Sequence, residues 1–169
     1  MLSLRLAEPK DADDVAGVHV RSWQAAYRGL LPDEYLDGLR PEDRAAKYTF
    51  GAPDVRMPAT VVAVEDGEIR GFVTTGPCRD ADEPGTGEVL ALYVDPPAWG
   101  SGVGARLVAE ARARLRQRGF IEAVLWVLVG NDRAQRFYRL DGWQGDGGQR
   151  SEELWGVVVD EVRFRRHLA

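Results

Sequence analysis

The stretch best equipped for chemistry is Leu92-Tyr-Val-Asp-Pro-Pro-Ala-Trp-Gly-Ser-Gly-Val-Gly-Ala105. An apolar run stops at Asp95-Pro96-Pro97, glycines follow at 100, 102 and 104, and a periodic run begins after them. A strand therefore enters a glycine-rich loop, and the loop opens a helix. Glycines let backbone N–H groups converge on one point without side chains between them, and a helix start adds partial positive charge. That is a cradle for a diphosphate. The Lys-Ser/Thr pair of a P-loop does not follow the glycines, which argues against nucleoside triphosphate hydrolysis.

Two other readings compete for the same glycines. Gly100, Gly102 and Ala105 satisfy G-x-G-x-x-G/A, the dinucleotide fingerprint. A dinucleotide site also wants a carboxylate roughly 20 residues on, at the end of the next strand. Here that strand ends Leu128-Val129-Gly130. Its first strand should also open the domain, whereas about half of this chain precedes the glycines. The plainer alternative is a glycine-rich turn that holds no ligand.

The flanking elements follow from periodicity. Leu2, Leu4 and Leu6 alternate with Ser3 and Arg5, as in a half-buried strand. The spacing predicts a helix over 12–27, with Val15, Val18, Ser22, Trp23 and Ala26 on one face. Gly29 ends it, Pro32 opens a short second helix, and Pro41 opens a third that ends near Gly51. Residues 60–65 and 69–75 form a hairpin about Asp66-Gly67. An acidic loop spans 79–87, and 88–94 is a further strand. Val103, Leu107, Ala111 and Leu115 recur every fourth residue in a helix that reaches about Arg118. Residues 122–129 are nearly all apolar, as in the buried centre of a sheet. Gly130-Asn131-Asp132 turns into a short helix over 133–140, Gly145 to Gly148 reads as a turn, and 157–166 as a closing strand. The order predicts one α/β domain over 1–169, a mixed central sheet of six or seven strands flanked by helices.

Composition narrows the function. With 44% apolar and 29% charged residues the chain is of ordinary globular type. A net charge of -5 without a concentrated basic face excludes a nucleic-acid backbone as partner. Cys78 is the single cysteine, so no intramolecular disulfide or cysteine-based metal cluster can form. His19 and His167 lie far apart, which argues against a metal site. His19 reads as a packed or surface histidine, not a base. The longest apolar run, Ala123 to Val129, is too short for a bilayer, and the first residues lack the apolar core of a signal peptide. A cytoplasmic setting with no membrane partner is the expectation.

The glycine segment resembles the cofactor motif of the GNAT superfamily of N-acetyltransferases, Gln/Arg-x-x-Gly-x-Gly/Ala after a strand ending in Leu-Tyr-Val. Gly102 and Gly104 match the two small positions, and Trp99 stands where the pattern has Gln or Arg. Asn131-x6-Tyr138 followed by Gly142-Trp143 is similar to the family's Asn…Tyr…Gly-Phe segment, and Arg5-Leu-Ala-Glu-Pro-Lys-Asp-Ala-Asp to its opening. The resemblance covers essentially the whole chain, and Ser22-Trp-Gln-Ala-Ala-Tyr-Arg-Gly-Leu-Leu-Pro32 resembles a common bacterial subgroup whose members mostly have no assigned acceptor. It implies acetyl-CoA as acyl donor. Backbone groups of Leu92, Tyr93 and Val94 would pair with the pantetheine arm like an added strand. Amides from Gly100, Ser101, Gly102, Val103, Gly104 and Ala105 would hold the pyrophosphate, and Asn131 would help fix the cofactor.

The implied reaction, acetyl transfer to an amine, sets two physical problems. An amine with an ordinary pKa of about 10.4 arrives protonated at neutral pH, so a base must take its proton. The tetrahedral intermediate carries an oxyanion and a departing thiolate, both needing donors. Glu88 occupies the position of the catalytic glutamate of histone-acetyltransferase relatives and is the candidate base; its plain reading is a solvated carboxylate. Tyr138 is the candidate acid; its plain reading is a core aromatic. Other relatives carry a glutamate where this chain has Trp126. Trp23 and Tyr27 lie in the segment that walls the acceptor site in the family; their plain reading is core filling. Asp80, Asp82 and Glu83 read as a solvated charge run. The acceptor would be a primary amine on a small molecule or a peptide, and a homodimer is compatible with the resemblance. The rival from another class is a non-catalytic acetyl-CoA sensor or assembly module.

Overall fold

Val61, Val62 and Ala63 are consecutive and all fully buried, so the strand carrying them must be covered on both faces. The computed structural model describes residues 1–51 and 58–169 and shows how this is done. Its strands are β1 (Ser3–Leu6), β2 (Ala59–Glu65), β3 (Glu68–Pro77), β4 (Gly87–Val94), β5 (Glu122–Leu128), β6 (Gln144–Leu154) and β7 (Val157–His167). They form one sheet in the order β1-β2-β3-β4-β5-β7-β6. Every neighbouring pair is antiparallel except β4 and β5, which run parallel.

The helices are α1 (Ala12–Ala26), α2 (Asp33–Asp37), α3 (Pro41–Ala45), α4 (Val103–Gln117) and α5 (Asp132–Leu140). Alternation along the strands assigns each face. Val61, Ala63 and Val73 pack with Leu107, Ala111 and Leu115 of α4. Val62 and Phe72 point the other way, onto Val15 and Val18 of α1. Gly71 permits the close approach of α4, since a Cβ there would stand 2.9 Å from both Leu107 Cδ1 and the Tyr93 carbonyl. No helix among the described residues is long and apolar enough to cross a membrane.

Three sequence expectations need correction. Gly145 to Gly148 is not a turn before a final strand; it lies within β6, where pairing with β7 slips between Gly145 and Gln149. A bulge of this kind tolerates glycines that would weaken a regular strand. The third helix stops at Ala45. Helix α4 begins at Val103, so Gly104 belongs to the helix and only Gly100 and Gly102 take the positive φ of the loop, at 78° and 90°.

The acidic loop is not a solvated run. Arg163, with its side chain 10% exposed, reaches Asp146 (2.8 Å), Asp80 (3.2 Å) and Asp82 (3.2 Å). Arg165 holds Glu83 and binds Glu122 at 3.0 Å. Arg165 is the main reason that Glu83 titrates below the ordinary carboxylate range. The network fastens the loop before β4 to β5, β6 and β7. Removing one partner of a buried ionic network leaves the others uncompensated, at about 3–5 kcal/mol. Arg163→Met is therefore expected to lower unfolding free energy by that order in urea titration. A loss below about 1 kcal/mol would reduce the network to a surface feature.

Candidate functional site

The site arises where the sheet parts. Strands β4 and β5 pair only from Gly87 to Val89 against Ala123 to Leu125. At Leu90 the register of β4 against β3 slips by one residue, between Thr74↔Ala91 and Thr75↔Val89. Such a bulge bends its strand, and beyond it β4 diverges from β5. The edge of β4 from Leu90 to Val94 is left without a neighbour on the β5 side. A cleft of about 580 Å³ opens there, within the size range of small-molecule sites.

One end of the cleft is the glycine turn. Gly102 is the N-cap of α4 and offers no side chain to cap it. The first helical amides, those of Val103, Gly104 and Ala105, have no acceptor within the helix; Arg106 is the first to bond back, to the Gly102 carbonyl at 3.1 Å. Gly100, Gly102, Gly104 and Ala105 line the cleft, as do Leu92, Tyr93 and Val94. Ser101 does not: its amide and hydroxyl both bond the Ala98 carbonyl. Val103 turns its side chain into the core, leaving only its amide to offer. The Val94 carbonyl is already taken by the Trp99 indole N–H at 2.8 Å.

The opposite end is polar and buried. Glu88 is 2% exposed; its carboxylate accepts the Arg79 amide N–H at 3.2 Å and lies 3.5 Å from the Arg79 guanidinium. The solvated reading of Glu88 is thus overturned. A second carboxylate, Glu161 on β7, also lines the cleft at 5% exposure and pairs with Arg150 at 3.0 Å. Burial raises the Glu161 pKa, with Arg150 pulling it back and the nearby Glu88 charge adding to the rise. Sequence reasoning missed Glu161. The available signal was parity: Val159, Glu161 and Arg163 occupy the inward positions of an alternating strand.

Tyr138 stands on α5 between the two ends, buried at 8% exposure and lining the cleft. Burial pushes its phenol well above the ordinary range, and the neighbouring Tyr93 adds to the shift. Asn131 lines the cleft as N-cap of α5, its side-chain oxygen accepting the Ala134 amide N–H at 3.2 Å. Its first duty is to the helix.

Tyr27, Leu154 and Trp126 also line the cleft, with Arg150 4.2 Å from the Trp126 ring centre. Trp23 is not a wall residue. It is buried behind Tyr27, edge-on at 5.1 Å, and braces it against Trp155 at the tip of the β6–β7 hairpin. His19 is buried, stacked on Tyr93 at 4.7 Å, with Nδ1 3.0 Å from the Tyr48 hydroxyl. Burial, and secondarily Arg44, push its pKa down to about 3, so at neutral pH it is an uncharged packing group.

A parallel pair splayed beside a glycine-capped helix, with two buried carboxylates in the same cleft, defines the site of this α/β domain. A profile of the acetyltransferase (GNAT) family matches residues 20–143. The chain is 32% identical over 138 residues to the uncharacterized N-acetyltransferase YuaI of Bacillus subtilis (strain 168), covering 78% of this chain and 74% of that protein. It is 34% identical over 139 residues to an uncharacterized N-acetyltransferase of Archaeoglobus fulgidus, covering 81% and 89%. Its fold is similar to that of the PaiA N-acetyltransferase from Thermoplasma acidophilum in complex with coenzyme A, with a TM-score of 0.71, 20% identity and 99% of each chain covered. This protein belongs to the acetyltransferase (GNAT) family.

Proposed function

We propose that the protein transfers an acetyl group from acetyl-CoA to a primary amine of a small molecule or peptide, with Glu88 as general base and Tyr138 as general acid. The observation that carries this reading is the splay of β4 from β5, which puts the glycine turn, Tyr138 and Glu88 along one cleft. The residues present fit the donor. The unpaired edge of β4 suits the amide-bearing pantetheine arm, and the free amides at the start of α4 suit a diphosphate. Acetyl-CoA supplies the acyl group in activated form, as a thioester.

Glu88 takes the proton of the incoming ammonium, directly or through water, so that a neutral nitrogen can form the new C–N bond. A backbone N–H of β4 near Val94 holds the developing oxyanion. As the C–S bond breaks, Tyr138 donates its phenolic proton to the sulfur. The second proton lost by the nitrogen restores the phenol, and Glu88 returns the first to solvent, leaving amide and thiol as products. Tyr27 and Leu154 shape the acceptor end, and Trp23 positions Tyr27 from behind.

A turnover screen with acetyl-CoA over polyamines, aminoglycosides, amino acids and peptides, read by thiol release, tests the reading. Amine-dependent release supports it; tight CoA binding with no turnover across the panel would favour the non-catalytic sensor. The cradle has its own test in Gly104→Val. A Cβ at Gly104 would stand 3.2 Å from Phe137 Cε1, so a valine displaces that cleft-lining ring and crowds the start of α4. CoA affinity is expected to fall about tenfold or more, a change of about 1.4 kcal/mol. Wild-type affinity in a folded Gly104→Val protein would remove the cradle from the proposal.

A further inference from the structure

Arg133 is a cation in the cleft with no carboxylate partner among the described residues. It is the second residue of α5 and lines the cleft together with the glycine turn. Its guanidinium carbon sits 3.7 Å from the centre of the Trp99 ring, and Trp99 is fixed in turn by its bond to the Val94 carbonyl. The other cleft arginines are already engaged: Arg79 with Glu88 and Arg150 with Glu161. Among the described residues no carboxylate offsets the desolvation that lowers the Arg133 pKa.

Stacking uses the face of the guanidinium and leaves its edge, where all five N–H donors lie, free for a planar or tetrahedral oxyanion. An indole beneath it restrains the long side chain before any ligand arrives, so less rotamer entropy is lost on binding. Trp99 occupies the motif position where the family pattern has Gln or Arg. The geometry therefore points to a two-residue replacement, in which the cation comes from α5 and the motif position supplies its platform. We propose that Arg133, held on Trp99, binds a phosphate of the coenzyme A moiety. This rests on the acetyl-CoA reading above.

The cofactor carries phosphate in two places, the diphosphate and the 3′-phosphate, and its fragments separate them. Titration calorimetry of wild type and Arg133→Gln with CoA, 3′-dephospho-CoA and pantetheine forms the test. Arg133→Gln is expected to weaken CoA binding about 10- to 100-fold, the usual range for a charge-assisted pair, and to leave pantetheine unaffected. Arg133→Lys should recover part of the loss. An equal loss with 3′-dephospho-CoA assigns the contact to the diphosphate, and no loss there assigns it to the 3′-phosphate. Unchanged CoA affinity in Arg133→Gln, or the same loss with pantetheine, overturns the proposal. A wild-type protein that fails to bind CoA overturns the acetyl-CoA reading itself, and this inference with it.

Discussion

Tyr138→Phe is expected to keep the fold and the CoA affinity while turnover falls about 10²–10⁴-fold, the usual cost of removing a positioned proton donor. The ring is the packing element: it lies edge-on to Phe137 and to Trp143, with centroids 5.2 and 6.2 Å away, and a phenylalanine preserves both contacts. What is lost is the hydroxyl. Burial holds the Tyr138 pKa above its ordinary value, so the phenol keeps its proton throughout the neutral range. A thiolate released beside the buried phenol is made more basic by the same desolvation, which favours its protonation. The variant should therefore lose kcat without a compensating change in the KM for acetyl-CoA. A loss below threefold, in a variant that still binds CoA normally, would leave Tyr138 as a packing residue.

Most of the fold was legible because its elements obey their own periodicity. The four-residue recurrence of Val103, Leu107, Ala111 and Leu115 foretells the buried stripe of α4, and the apolar run over 122–129 foretells the sheet centre at β5. Strand β6 was not legible. Its sequence, Gln-Gly-Asp-Gly-Gly-Gln-Arg-Ser-Glu-Glu-Leu, carries no apolar alternation. It is an edge strand that pairs with β7 alone and buries little, so backbone hydrogen bonding and the Arg150–Glu161 pair hold it where side-chain hydrophobicity does not.

The glycine turn at one end of the candidate site was legible for a related reason. Backbone cradles need glycines at fixed spacing, and spacing survives in one dimension. The carboxylate end depends on which side chains meet across the sheet. Glu88 and Glu161 lie 73 positions apart and come together only because β7 inserts next to β5. No local pattern encodes that insertion. The position of Trp23 in α1 leaves a wall and a core residue equally open, and the extra layer formed by the β6–β7 hairpin makes it a buried brace.

Two buried carboxylates in one cleft make Glu88→Gln the decisive substitution. It is expected to lower kcat/KM for the amine about 10²–10⁴-fold near neutral pH, with acetyl-CoA affinity little changed. Glutamine keeps the shape, and its amide oxygen can still accept the Arg79 N–H that Glu88 accepts at 3.2 Å, so the loop before β4 should stay in place. Only the proton acceptor is gone. The deficit should shrink as pH approaches the ordinary amine value of about 10.4, because more acceptor then arrives neutral and needs no base. Glu161→Gln is the necessary companion. Glu161 lines the same cleft, bonded to Arg150 from β6; its carboxylate oxygens are the second set of acceptors there for an ammonium whose proton Glu88 removes. In that division of labour Glu161→Gln raises KM for the amine and leaves kcat and its pH dependence nearly intact. The reverse pattern, a pH-dependent loss of kcat in Glu161→Gln and a normal rate in Glu88→Gln, would move the base from β4 to β7.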